Sequence, residues 1–472
     1  MTGPLTDLIL LLPELVLVGM ALALIILARH LQHARSVSVW VVLAAAAAIG
    51  SSWAFSSQSP KTGFGGTIAS DGYAQFFHVL FAGNLALVAL FSVKLLDAER
   101  VRPAEYYTLL LLASTGMMLA AASADLLILY LGLELMALCA YFLVGITRQR
   151  TSSNEAAVKY FLLGSFASAV LLYGIGLVYG VTGATDVAAI ASTVAERRGE
   201  QFPLLVSGVA LIVGGLAFKI AAVPFHAWAP DAYQGASAPV SAFLAVGSKA
   251  AGLAALGRVC MAAFAPEPRI WSGILIGLAA LSMAVGSLLA VAQSDMKRLL
   301  AYSSIAHAGY ALMGLIAGTP EGASATMTYA FIYGFMTLGA FGVVVGLEQR
   351  GEELEGFRGL AHTNPVTAAL MFLFLLSLTG IPPTAGFTAK FAVILSAIRA
   401  GHVLLAVLAV VCSVVSAFFY LRVAVLMYMT EPKGPAAERF PTATYAALLV
   451  AAFITILGGV FPGVFITWTV PP

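Results

Sequence analysis

Four ionisable residues stand where the surrounding sequence gives charge no obvious reason to be. Glu134 lies in LGLELMALCAYFLVG and Lys219 follows Gly214-Gly215-Leu216-Ala217-Phe218. Lys249 lies well inside the apolar run that begins near residue 238, and Lys390 lies beyond the pair Pro382-Pro383. A charged side chain at the centre of a membrane helix costs about 2.5–3.5 kcal/mol on insertion scales. A lysine can reduce that cost by running its stem to the interface, but the glutamate side chain is too short to do so. Buried groups that take and give protons inside a helix bundle are the composition of a proton relay. His226 and His307 fit either packing or such a relay, since an imidazole titrates near pH ~6.5. His307 falls between the Glu134 and Lys390 runs in chain order, which favours a central place, whereas His78 reads as a packing residue. Lys159, near the edge of its run, is placed to pass protons between cytoplasm and bundle. Arg258 and Arg422, also near run ends, are expected to contact lipid head groups.

Two prolines add backbone chemistry to this set. Pro224 has no N–H, so the carbonyl of Ile220 loses its helical partner one residue from Lys219. Pro382 and Pro383 likewise release the carbonyls of Leu378 and Thr379, about two turns before Lys390. Interrupted helices are tolerated at membrane depth only where they face protein or a water-filled cavity. Two interrupted spans, each with a buried lysine, are the pattern expected of inverted-repeat transporters.

The elements that must hold these residues follow from composition. Of 472 residues, 61% are hydrophobic and 10% charged, against about 25% charged in soluble domains. Apolar runs of ~20 residues, each able to cross a ~30 Å hydrocarbon core, recur along the chain. They predict an all-α polytopic membrane protein of fourteen spans, near 6–28, 38–56, 72–95, 105–123, 125–147, 155–181, 203–224, 238–264, 270–293, 298–318, 322–347, 365–399, 402–430 and 442–466. A short surface helix is expected around Asp186 to Arg198. Phe161 and Gly164 align with Phe331 and Gly334, and Pro224 with Pro382. These matches divide the chain into an N-terminal three-helix segment (1–104), two five-helix repeats (105–264 and 265–430) and a C-terminal helix (431–472). An odd number of spans per repeat gives the two repeats opposite topology. Of 24 Lys and Arg residues, fourteen fall on one side, among them Arg29, Arg35, Arg100, Arg148, Lys297, Arg350, Lys433 and Arg439. Five fall on the other side: Lys61, Arg197, Arg198, Arg269 and Arg399. The basic side is cytoplasmic, so both termini are expected on the non-cytoplasmic side.

Other classes are disfavoured. A net charge of +2 without a basic stripe argues against nucleic acid. Cys139, Cys260 and Cys412 are isolated within apolar runs and offer neither disulfide framework nor metal spacing. The runs are continuous rather than alternating, which argues against a membrane β-barrel, and no basic stretch precedes the first run as in a signal peptide. The stretch Gly208 to Gly215 reads as helix packing rather than a nucleotide-binding turn, and no Walker A or HExxH sequence occurs.

The run VPFHAWAPDAYQGASAPVSAFLAVGSKAAG, Val223 to Gly252, resembles a hallmark segment of the antiporter-like subunits of respiratory complex I and of Mrp-type cation/proton antiporters. SDMKRLLAYSSIAHAGY, Ser294 to Tyr310, resembles a second hallmark of that superfamily. Three features are similar to the subunit N type, equivalent to the mitochondrial subunit 2 type: the LLPELVL run (Leu11 to Leu17), a chain that stops soon after its last span, and Lys390 where the subunit M type usually carries glutamate. The resemblance implies fourteen helices with inverted repeats, and proton translocation coupled to NADH:quinone electron transfer in the inner membrane of a bacterial cell. It matches Glu134, Lys219, Lys249 and Lys390 to the family's fifth-, seventh-, eighth- and twelfth-span charges, and Lys159 to a further lysine of subunit N. FMN, iron–sulfur clusters and quinone would belong to partner subunits, with no cofactor in this chain. The partners implied are the other membrane subunits of complex I, further antiporter-like subunits among them, and the lipid bilayer. The rival readings are a subunit of a Mrp-type antiporter or of a membrane-bound hydrogenase, and a passive membrane scaffold.

Overall fold

A computed structural model describes residues 4–54, 61–99, 101–196, 202–347, 352–432, 440–469 and 471. Arg100, Arg197, Arg198, Arg350, Lys433 and Arg439, which entered the charge count, lie outside the described residues.

The apolar runs become helices because no other backbone arrangement satisfies every N–H and C=O within its own segment in lipid. In chain order they are α1 (Leu12–Ile26), α2 (Ala34–Ala54), α3 (Gly72–Phe91), α4 (Pro103–Ala122), α5 (Leu126–Val144), α6 (Thr151–Thr182), α7 (Phe202–Lys219) and α8 (Trp228–Gly235). There follow α9 (Ala238–Ala263), α10 (Ser272–Val291), α11 (Met296–Ile316), α12 (Pro320–Leu347), α13 (Pro365–Thr379), α14 (Ala385–Arg399), α15 (Val403–Tyr428) and α16 (Thr442–Val460). Eleven of these are long and apolar enough to cross a membrane alone. With α1, the 20-residue α4 and the broken pair α13–α14, the described residues account for the fourteen expected passes. The short helix expected around Asp186 is Val187–Glu196. A small antiparallel hairpin, β1 (Lys61–Gly63) with β2 (Ile68–Ser70), links α2 to α3.

The two sets of five spans pack alike. In each, the first two helices lie close together, α4 on α5 and α10 on α11, and the third packs on both pieces of the broken span, α6 on α7 and α8, α12 on α13 and α14. Glycine allows the first contact. A Cβ on Gly132 would lie 2.7 Å from backbone atoms of Ala120 and Gly116, and one on Gly286 would lie 2.5 Å from the Ala306 nitrogen. Small residues let helix backbones approach this closely where lipid supplies no hydrophobic drive. The second helix of each set starts from an aspartate cap: Asp125 accepts from the Leu127 nitrogen at 2.8 Å and Asp295 from the Arg298 nitrogen at 2.8 Å. Each cap residue also bridges the loop beyond the third helix, Asp125 to Asp186 and Asp295 to Glu353.

Two arginines depart from expectation. Arg258 is buried rather than turned to head groups. It makes a bidentate pair with Asp71 (2.6 and 2.8 Å), donates to the Ala121 carbonyl and lies over the Tyr73 ring. Arg422 donates to the carbonyls of Val291 and Gln293 at the end of α10. Both guanidiniums find fixed acceptors on neighbouring helices, and a planar fork with several donors suits that use better than a head-group contact.

Candidate proton-relay site

The break in the seventh pass falls earlier than Pro224 itself. α7 ends at Lys219, Ala221 adopts φ +55°, and helix resumes at Trp228. Proline lacks the N–H and crowds the residue before it out of helical geometry. The carbonyls of Phe218, Lys219 and Ile220 at the break each take a side-chain donor. Trp228 Nε1 donates to the Phe218 carbonyl (2.9 Å), Ser248 Oγ to that of Lys219 (3.0 Å), and Lys249 Nζ to that of Ile220 (2.9 Å). The twelfth pass repeats the arrangement. α13 ends at Thr379 with Gly380 at φ +88°, a left-handed geometry that glycine adopts without strain. Lys390 Nζ donates to the Thr379 carbonyl at 2.8 Å and to Ser413 Oγ at 3.1 Å. Lys249 and Lys390 thus face the negative dipole end of a half-helix, where a cation is favoured.

Lys219 is the last residue of α7 and reaches Glu134 on α5, with Nζ–Oε1 3.1 Å. Ser168 of α6 donates to the same carboxylate oxygen and lies 3.4 Å from Nζ. The Lys219 side chain is 2% exposed and that of Glu134 20%. Lys249 is 2% exposed and Lys390 5%, so neither stem runs to an interface. Lys249 sits immediately after a π-helical turn, Leu244–Ser248. Such turns inside helices recur at functional sites.

A single face of α11 joins the two halves. Ser304, His307 and Tyr310 recur every three residues and so share one side of the helix. The Ser304 carbonyl accepts from Lys249 Nζ at 3.1 Å. His307 Nδ1 lies 2.6 Å from the Tyr329 hydroxyl and Nε2 3.4 Å from that of Tyr420, which also contacts Ser303. Tyr310 presents its ring to Lys390 Nζ, 4.7 Å from the centroid. Glu134 and Lys219 are thus in direct contact, Lys249 meets both the break beside Lys219 and the Ser304 carbonyl, and Tyr310, on the same face of α11 as His307, meets Lys390.

Among the described residues, Lys159 and His226 make no contact with the buried amines. Lys159 is half exposed and pairs with Glu155 (2.7 Å) and Asp231 (3.1 Å), the latter shared with Arg298 at 3.0 Å. His226 lies in the break between α7 and α8, half-buried, with Nδ1 lacking a hydrogen-bond partner. No hydrogen bond joins it to a relay lysine among the described residues. Ser168, Ser413, Tyr310, Tyr329 and Tyr420 were not singled out by sequence. Serines and tyrosines are common in spans, and only the threefold spacing in SSIAHAGY gave a signal. The three cysteines are buried and free. Among the described residues no three His, Cys, Asp or Glu side chains converge as metal ligands.

Residues 123–416 match the family model described as NADH:quinone oxidoreductase/Mrp antiporter, TM. The chain is 43% identical to NADH-quinone oxidoreductase subunit N of Desulfovibrio desulfuricans, over 98% of this chain and 96% of the relative. It is 42% identical to NADH-quinone oxidoreductase subunit N 2 of Rhizobium meliloti, over 96% and 95%. Among solved structures it is similar to a chain of respiratory complex I from Thermus thermophilus with bound aureothin, with a TM-score of 0.83, 36% identity and coverage of 96% and 98%. A chain of the Mrp complex from Dietzia sp. shares the fold, with a TM-score of 0.87 over 98% of this chain at 23% identity.

Proposed function

The chain belongs to the NADH:quinone oxidoreductase/Mrp antiporter family, and from that premise we propose that it is the subunit N-type, proton-translocating membrane subunit of a proton-pumping NADH:quinone oxidoreductase. The match to subunit N relatives runs nearly end to end at over 40% identity. The likeness to the Mrp chain, at 23%, carries the fold alone. The chain is a multi-pass inner-membrane protein, embedded in lipid among the other membrane subunits of that complex, further antiporter-like subunits included. The Lys and Arg bias of its loops supports both termini on the non-cytoplasmic side. The like packing of the two sets of five spans supports a division at 104, 264 and 430 into a three-helix segment, two inverted repeats and a closing helix. FMN, iron–sulfur clusters and quinone belong to partner chains, so electrons do not pass through this subunit.

One observation carries the mechanism: Lys249 and Lys390 are each held at a helix break, with an acceptor supplied by the broken backbone. Glu134 holds the proton-bearing form of Lys219 by charge. Ser248 and Lys249 tie the next helix to the same break. His307 and its tyrosines lie between Lys249 and Lys390, and Lys390 delivers protons from the second repeat towards the opposite side. Lys159, in its exposed pairs with Glu155 and Asp231, exchanges protons with the cytoplasm, and His226 serves the break at Pro224.

The test is Lys390 in the assembled complex, reconstituted in vesicles. Lys390→Arg keeps the charge but cannot release its proton, since a guanidinium stays protonated throughout the working pH range. Lys390→Met removes the charge at similar volume. Both are expected to reduce protons moved per NADH oxidised. Full pumping with arginine would overturn the relay role and leave Lys390 a structural charge.

A further inference from the structure

Away from the relay, the N-terminal three spans hold a second titratable pair. Glu14, on α1 within the LLPELVL run, has Oε1 3.3 Å from Nε2 of His78 on α3. The two residues are 3% and 5% exposed. Neither carboxylate oxygen of Glu14, nor Nε2 of His78, has a hydrogen-bond partner. A buried ionic pair kept for packing alone ordinarily has its spare lone pairs and protons satisfied, because an unpaired buried polar atom is costly. This pair is in contact yet unsaturated.

His78 is also within reach of the membrane surface. It lines a narrow crevice of about 20 Å³, together with Pro13, Ser51, Ser52, Ser70, Asp71 and Gln75. Asp71, Ala74, Gln75 and His78 follow one another at helical spacing from the N-cap of α3 and so line the crevice from one face of that helix. The volume suits about one water, and the lining supplies polar partners for it. The mouth lies between the start of α1, the end of α2 and the β1–β2 hairpin, on the face that carries the N-terminus. The charged group facing Glu14 is His78. At the mouth, Asp71 is engaged by Arg258, and the neighbouring titratable groups are Tyr73 on α3 and Cys260 on α9. None of these belongs to the chain of groups between Glu134 and Lys390.

We propose that Glu14 and His78 together bind one proton and exchange it, through the crevice beside Asp71, with the aqueous phase on the side of the membrane where the N-terminus lies. With one proton the pair is neutral overall, whether it is carboxylate with imidazolium or carboxylic acid with imidazole. A second proton, or none, leaves a net buried charge, which an apolar surrounding disfavours. Hydronium at the mouth gives up the proton and water takes it back. No bond between heavy atoms and no electron is involved. The site is thus a proton-binding dyad separate from the relay, built on the segment that precedes the first repeat.

The experiment is sided infrared titration of the intact complex in vesicles, stepping pH on one face at a time upward from neutral until the pair gives up its single proton. The wild type should give a carboxyl signal when the face bearing the N-terminus is titrated. Glu14→Gln should abolish that signal while NADH oxidation continues. His78→Gln should retain a carboxyl signal but shift its midpoint by a pH unit or more, which a packing role for His78 would not do. If Glu14→Gln does not assemble, the wild-type sidedness and the His78→Gln shift still decide. An identical signal in Glu14→Gln, a response only to the opposite face, or an unmoved midpoint in His78→Gln would each overturn the proposal.

Discussion

Glu134 and Lys219 are each other's charge partner, yet their surroundings differ. The lysine is sealed in, while part of the carboxylate side remains accessible, and Ser168 supplies a further donor to it. Removing one member of a buried pair leaves the other uncompensated, at a cost of about 3–5 kcal/mol. Glu134→Ala is accordingly expected to cut proton pumping by tenfold or more in a complex that still assembles and oxidises NADH. Glu134→Gln should retain the contact with Ser168 and fail similarly, because charge is what Lys219 lacks. Unimpaired pumping by either assembled variant would reject the pairing role. At this scale the sequence was informative about charge and nearly silent about hydroxyls. A lysine in an apolar run is conspicuous because its insertion is costly, whereas Ser413 or Tyr420 costs little in a span and gives no comparable signal. Which carbonyls become acceptors was half legible. Pro224 and Pro382-Pro383 marked Ile220 and Thr379 as released, but their takers, Lys249 and Lys390, emerged from packing of α9 against α7 and of α14 against α13.

Among the elements, the passes were predicted nearly one for one, because ~20 apolar residues have essentially one solution in a bilayer. Their interruptions were less exact. The seventh pass was expected to run to Pro224 and in fact stops at Lys219, since a proline disrupts helix over the residues before it. The π-helical turns at Leu244–Ser248 and Val259–Ala263 had no sequence signal, as the extra residue is accommodated by neighbours rather than by local preference. Close approach of α4 and α5 gives a test with an internal control. Gly132→Ala places a methyl group against backbone that cannot yield, whereas Gly176→Ala on α6 meets nothing within 4 Å. Overpacking of this kind costs about 1–3 kcal/mol. The first variant should therefore lower the thermal midpoint or the yield of assembled complex, and the second should leave both unchanged. Equal yields and midpoints would mean that the α4–α5 contact is looser than described.

Over the whole molecule, the first three spans are pinned to α9 by Asp71 and Arg258, with side chains 15% and 6% exposed. Arg258→Ala should strand Asp71 and destabilise the junction by about 3–5 kcal/mol, read as dissociation or proteolysis of the first three spans in mild detergent. A protein indistinguishable from wild type would show that the pair contributes nothing to the junction. Orientation has its own test. With an even number of passes, a reporter fused after Pro472, itself outside the described residues, should be active only when it folds outside the cytoplasm. A cytoplasmic readout would contradict both the loop charge bias and the count of fourteen.

Sequence alone determined that the chain is a many-span helical membrane protein, where its helices run, that Lys219, Lys249 and Lys390 are buried, and which family it resembles. Each of these depends on local composition or on short motifs, and the cost of placing polar groups in lipid leaves few alternatives. Tertiary structure decided the partners. It took Arg258 from the head groups to Asp71, left Lys159 at the surface with Glu155 and Asp231, and set Ser304, His307 and Tyr310 between two lysines more than a hundred residues apart. It also brought Glu14 against His78. Such contacts depend on which faces of distant helices meet. That is fixed by close packing summed over the whole bundle, and the residues near any one position do not encode it.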